Sequence, residues 1–232
     1  MATRSWTVAR SSDRPVGRRL GRRFFARATV RVARALLGAE LRVRGPGDAR
    51  AGRIAETEAY LTGDPASHAF RGRTSRNRSM FAAPGTLYVF RIHRVVCANL
   101  VTRRGEAVLL RAASVAGLAA TAASGPGRLC RVLGITIADD GSDVVSGSRF
   151  ALYPRRGPRS PVAIGPRVGI RRAADRPLRF WIAGDPAVSR FRASSASASP
   201  SRSRADGGSR RSRTTRRPSS AGGRSAGRTA GR

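Results

Sequence analysis

Polar and apolar residues alternate with a period of two through much of the first half of the chain, the spacing of half-buried strands. Leu41 and Val43 share one face over Glu40–Arg44, and Gly45-Pro46-Gly47-Asp48 is turn chemistry. A hairpin with a second strand over Arg50–Tyr60 follows from that order. Thr86–Phe90 and Cys97–Thr102 read as two further strands, joined through Arg91 to Val96. The tight turn Arg103-Arg104-Gly105-Glu106 leads into another, Ala107–Arg111. Phe150–Tyr153, Pro166–Arg172 and Leu178–Ile182 are the later strand candidates. A helical period appears at Ala33, Leu36 and Leu37 before Gly38. It returns at Leu129, Val132 and Leu133, between Gly125-Pro126-Gly127 and Gly134. The Ala-rich Ala113–Ser124 also reads as helix. Short consecutive strands with tight turns argue for antiparallel sheet and against βαβ units, so the fold class is α+β in a single domain.

Two places break this regularity. Leu61 to Ala83 is rich in Gly, Pro, Ser, Asn and Arg with little periodicity, so it reads as a loop with short helical turns. In Arg53-Ile54-Ala55-Glu56-Thr57-Glu58-Ala59-Tyr60, an apolar lead-in delivers two carboxylates to the end of a strand. Alternate side chains share a face, so Glu56 and Glu58 point the same way, opposite to Ala55 and Thr57. Two acids on one face repel unless they are solvated, paired or used.

Charge changes the picture most. The 232 residues carry a formal net charge of +33, and all 46 basic residues are Arg. Such a charge favours a polyanionic partner, nucleic acid first and an anionic membrane surface second. A GC-rich coding bias explains the missing lysines but not the shortage of acids. No apolar run approaches the roughly 18 residues of a membrane helix. Cys97 and Cys130 sit in apolar contexts without close spacing, which points to buried thiols in a reducing compartment. With two His and two Cys scattered, there is no metal-ligand spacing, and neither metal nor cofactor is expected. Residues 1–23, Arg-rich and nearly acid-free, fit a transit peptide or a basic arm and lack the apolar core of a secretory signal; in a chain Arg-rich throughout, a disordered basic arm is expected. Residues 193–232, of Ser, Arg, Gly, Ala and Thr, read as a disordered tail. Residues 24–192 form the domain between them.

Five ordered segments carry a resemblance. They are Arg-Ile-x-Glu-Thr-Glu-Ala-Tyr with His68 eight residues on, Arg-Asn-Arg-x-Met-Phe, Pro-Gly-Thr-Leu-Tyr-Val, Cys-x-Asn, and Val-Leu-Leu-Arg-Ala. In this order the chain resembles the alkyladenine (3-methyladenine) DNA glycosylases from about Phe24 to Arg192, and the resemblance implies a curved sheet. It also implies roles. Glu58 would orient and deprotonate the attacking water, with Arg111 as partner of that carboxylate or its water. Glu56 would be structural. Tyr60 and His68 would hold a flipped purine from one side and Phe90, where Tyr is common, from the other. Asn99 would crowd the exocyclic amino group of normal guanine. The expected partner is duplex DNA with alkylated or deaminated purines, the expected state a monomer, and the expected location cytoplasmic and nucleoid-associated.

The sequence departs from the family at one hairpin tip, which is one residue shorter between Tyr88 and Asn99 and lacks the usual Tyr-Gly. His93 or Ile92 is the expected wedge into the emptied base stack. Arg71, Arg73, Arg76, Arg78, Arg91, Arg94, Arg103 and Arg104 are candidate phosphate contacts. Glycosylases that also cut the strand attack the sugar with an amine, and no lysine exists to do so. A monofunctional enzyme leaving an abasic site is therefore expected. The competing reading is a non-catalytic, basic nucleic-acid-binding protein on the same fold.

Overall fold

The computed structural model describes residues 17–45 and 48–189. The tail from residue 193, the first 16 residues and the turn residues Pro46 and Gly47 lie outside the described residues. Eight strands form one sheet in which every pairing is antiparallel. They are β1 (Glu40–Gly45), β2 (Asp48–Tyr60), β3 (Leu87–Ile92), β4 (Val95–Arg103), β5 (Glu106–Ser114), β6 (Phe150–Tyr153), β7 (Val162–Gly165) and β8 (Arg179–Ile182). The order is β3-β4-β5-β2-β1-β6. β2 is long enough to serve two neighbours on one edge: its first half pairs with β1, and Glu56 to Glu58 pair with β8. The sheet curls there, and β7 continues it beyond β8. The fold is α+β in a single domain, as the alternation required.

Three helices, α1 (Arg22–Phe25), α2 (Thr29–Ala35) and α3 (Pro126–Leu133), pack against the strands. Proline occupies the first turn of α3, where its missing N–H costs nothing, and Gly134 ends the helix in the left-handed region at φ 69°. The alternation sorts side chains between two faces. Leu87 and Val89, Ala98 and Leu100, Val108 and Leu110, and Ala59 face the helices in the main core. Each of these leucines contributes about 1.5–3 kcal/mol through burial. Thr57 belongs to this face, donating its hydroxyl to the Ala33 carbonyl of α2 at 3.0 Å.

Three expectations are corrected. Ala113–Ser124 is not a helix. Ala113 and Ser114 close β5 opposite Ile54 and Arg53, and the rest turns back to bridge Ala112 with Ser124. Pairing across the sheet overrides the helical propensity of alanine. The strand expected over Pro166–Arg172 lies earlier, at Val162–Gly165, and residues 166–172 form irregular chain. The packed body also starts ahead of residue 24, because the Leu20 N–H bonds the Leu152 carbonyl at 2.8 Å and Arg19 donates to the Gly147 carbonyl.

Candidate active site

The face opposite the core carries the chemistry. One row of residues crosses four neighbouring strands in register: Tyr88 pairs with Asn99, Asn99 with Leu109, and Leu109 with Glu58. Phe90 pairs with Cys97 one step along. Tyr88, Asn99 and Leu109 of this row, with Phe90, Cys97, His68 and Tyr60, line a cavity of about 230 Å³; Glu58 is not among its lining residues. In a chain this basic, no formally charged residue lines that cavity.

Two bulges set the carboxylates. The β2–β5 register shifts between Ile54 and Glu56, and again between Glu56 and Thr57, so neither Ala55 nor Arg111 has a register partner in that pairing. A bulge residue interrupts alternation. Ile54 therefore joins the core while Glu56, two positions on, joins the site. The Arg111 guanidinium lies between both acids, its Nε 2.8 Å from Glu56 Oε1 and its Nη1 3.3 Å from Glu58 Oε1.

Glu56 is saturated. Arg179 donates to it at 2.6 Å, and the Ser189 N–H and hydroxyl do so at 2.9 and 2.7 Å. Burial works to raise its pKa, but Arg111, Ser189 and Arg179 together outweigh burial and hold it below the ordinary 4.5. Glu58 differs. It accepts from the Val168 N–H at 2.8 Å and the Tyr60 hydroxyl at 3.0 Å. Burial nevertheless prevails over Arg111 and these two donors, and its pKa stands above 4.5. Arg111 favours the ionised form, but burial outweighs it, since Glu58 exposes none of its surface. A carboxylate has about four acceptor positions. Three donors reach Glu58, two of them from Tyr60 and Val168, which both line the cavity.

The cavity wall is aromatic. His68 Nδ1 lies 2.9 Å from the Tyr88 hydroxyl, and its ring meets Phe90 edge-on at 4.3 Å between centroids. The sequence reading set His68 beside Tyr60 and opposite Phe90; the structure groups it with Phe90 and Tyr88 instead. Burial lowers the His68 pKa, so the imidazole is neutral at neutral pH. Asn99 donates to the Tyr88 carbonyl at 3.2 Å, which fixes its amide at the cavity edge. The Cys97 thiol, pushed up to about 11 by burial, stays protonated.

This ladder of pocket and carboxylates falls inside residues 23–186, the span that matches the family model for methylpurine-DNA glycosylase. The chain belongs to that family. It is 43% identical over 176 residues to a protein of Rhizobium etli, covering 70% of this chain and 85% of the relative. A Methanoculleus marisnigri protein is 44% identical over 190 residues, 72% of this chain and 96% of its own. One from Synechococcus elongatus is 46% identical over 165 residues, 68% and 84% respectively. All three bear the provisional name 3-methyladenine DNA glycosylase.

In this methylpurine-DNA glycosylase family member the β3–β4 hairpin turns through His93 and Arg94, and His93 is held at φ 52°. Ile92 is 51% exposed and lines the cavity; His93 is exposed but does not line it. The eight arginines singled out from the sequence are all exposed, and none pairs with an acid among the described residues. Four residues escaped the sequence reading: Arg167, Asp64, Arg179 and Ser189. Arg167 is clamped by both oxygens of buried Asp64 and stacks on the Tyr60 ring at 4.6 Å. It thereby anchors the chain that brings the Val168 N–H to Glu58. Arg167 lies in Gly-Pro-Arg-Val-Gly-Ile and Arg179 in Arg-Pro-Leu-Arg-Phe-Trp, and the acid that each one meets, Asp64 and Glu56, is more than 100 positions away. No group of three or more His, Cys, Asp or Glu able to hold a metal occurs among the described residues. No helix among them is long and apolar enough to cross a membrane.

Proposed function

We propose that this DNA glycosylase excises alkylated or deaminated purines, of the 3-methyladenine, 7-methylguanine and hypoxanthine type, from duplex DNA. The observation that carries this reading is an uncharged aromatic cavity set against a buried, partly free carboxylate. Alkylation at a ring nitrogen leaves a purine cationic while it is still attached to its sugar. Aromatic faces attract such a base, and a neutral His68 does not repel it. Stacking contributes about 1–3 kcal/mol per base and tolerates several lesions.

In this mechanism the nucleotide leaves the stack at a cost of a few kcal/mol, least for a damaged base. The base enters between Tyr60 and the wall of His68 and Phe90. Asn99 crowds the exocyclic amino group of a normal guanine and so biases the pocket against it. Glu58, ionised, takes a proton from a water held in its remaining acceptor position, and that water attacks the sugar carbon as the base departs. Arg111 supports the carboxylate. Ile92, with His93 behind it, fills the vacated stack, and the eight exposed arginines hold phosphates without reading sequence. With no lysine to form a Schiff base, the strand stays intact and an abasic site remains. We place this activity in the cytoplasm, on nucleoid DNA, and in a monomer.

The test is incubation with methylated duplex, followed by identification of free bases. Free 3-methyladenine with unbroken strands is the expected result. Strands that break without added alkali or heat would overturn the monofunctional step, and the absence of any free purine would overturn the reaction.

A further inference from the structure

The tip of the β3–β4 hairpin is the exposed end of the site's sheet. Arg91 to Val95 are all exposed, whereas Cys97 to Leu100 behind them are buried. At the tip Ile92 pairs with Val95, so whatever fixes Val95 fixes the cavity-lining Ile92. Val95 rests on Gly127, in the first turn of α3. A Cβ built at Gly127 would lie 2.8 Å from Val95 Cγ1, with Cβ and Cγ2 of the same valine at 3.7 and 3.8 Å. All three outer carbons of the valine thus lie around the spot, and only the rotamer that turns the Cβ–H toward it would clear the contact, at the cost of a side chain that is stiff at χ1. A Cβ at this position is therefore accommodated by a change of the Val95 rotamer or by a shift of the hairpin that carries it.

Nothing in the backbone asks for glycine here. Gly127 is not among the glycines with positive φ, unlike Gly125 at 98° just before the helix. A helical position without that requirement is normally better served by alanine. We propose that Gly127 is a positioning residue for base flipping: its bare Cα is the shelf on which Val95 sets the shortened hairpin at the depth that Ile92 needs. The inference rests on the proposed reaction and extends it to α3, which touches no substrate.

The test compares Gly127→Ala, Val95→Ala and the double variant in the full chain. Each is given hypoxanthine in a paired duplex and the same lesion in an unpaired bulge. Gly127→Ala is expected to slow single-turnover excision from the paired duplex about tenfold or more, the order of loss a misplacement of about 1 Å brings. Its rate on the bulge should stay near wild type, because flipping is already done there. Adding Val95→Ala should restore the paired-duplex rate, and the melting temperature of Gly127→Ala should not fall. Equal losses on both substrates, an unchanged paired-duplex rate, or no rescue by Val95→Ala would each overturn the proposal. Amide hydrogen exchange of Arg91 to Val95 reads the same contact without catalysis: faster exchange in Gly127→Ala, reversed in the double variant, is expected. If wild type released no base from either substrate, the glycosylase reaction would be refuted, and the exchange comparison would still decide the Gly127 contact.

Discussion

At the scale of single residues, two glutamates two positions apart hold opposite electrostatic settings. Both are fully buried, but Glu56 collects four donors from Arg111, Arg179 and Ser189, while Glu58 has Tyr60, Val168 and the farther arm of Arg111. The pKa of Glu58 is therefore raised, and base catalysis needs its ionised form. The rate of base release should rise with pH along an acid limb whose midpoint lies above 4.5. Tyr60→Phe keeps a stacking ring but removes a donor to the carboxylate, so it should move that limb to higher pH; a downward shift would count against the assignment. Stability carries the opposite sign to function. Since the folded pKa of Glu58 exceeds the unfolded one, stability falls as pH rises from about 4.5 through the folded value. Glu58→Gln removes that loss, and Arg111 keeps Glu56 as its partner. Thermal melting at neutral pH should rise, by about 2–4 °C for each kcal/mol recovered in a domain of this size. A fall of several degrees would show instead that the Glu58 charge supports the fold.

At the scale of elements, β2 and β5 build the site through irregularity. Without a bulge at Ala55, strict alternation would put Ile54 and Glu56 on one face, and the core and the site could not both be served. Glu56 then ties β2 to β5 and to β8. Glu56→Gln should lower the free energy of unfolding by roughly 3–5 kcal/mol, because two buried guanidiniums lose their counter-charge. Denaturant titration measures this. The folded pKa of Glu56 lies below 4.5, so its contribution is full above that pH and is lost as pH falls through the folded value. In the β3–β4 hairpin, Ile92→Ala should slow excision from paired duplex more than His93→Ala, since only Ile92 lines the cavity; the reverse order would make His93 the wedge. Much of this was legible in the sequence. Period-two alternation located β1 to β5, and the same parity sends Tyr88, Phe90 and Asn99 to one face. What was not legible depends on long-range pairing. Alanine spacing cannot reveal that Ala113 faces Ile54 across a sheet, nor can an arginine in an irregular stretch reveal a buried aspartate 103 positions away. The raised pKa of Glu58 was equally hidden, because burial is a property of the packed molecule.

At the scale of the whole molecule, charge and pocket are separated: a strongly basic chain encloses a cavity free of formal charge. Exposed arginines lie on the loop after His68 and at two hairpin turns, while the cavity is lined by rings, an amide, aliphatic groups and the sulfurs of Met80 and Cys97. Duplex affinity should fall steeply with salt, with a log–log slope of about 0.9 per phosphate neutralised. Replacing Arg71, Arg73, Arg91 and Arg94 with alanine should flatten that slope by several units while leaving the rate at saturating protein nearly unchanged; a large loss at saturation would place these residues in the chemistry. The central claim is that one carboxylate does the chemistry and the rest of the molecule delivers a base to it. The most direct measurement is single-turnover base release from a lesion-bearing duplex by wild type and Glu58→Gln, with duplex binding followed in parallel. Equal binding by both proteins, free purine with intact strands from wild type, and no release by the variant are the expected results. Equal behaviour of the two, whether both release base or neither does, would contradict the central claim.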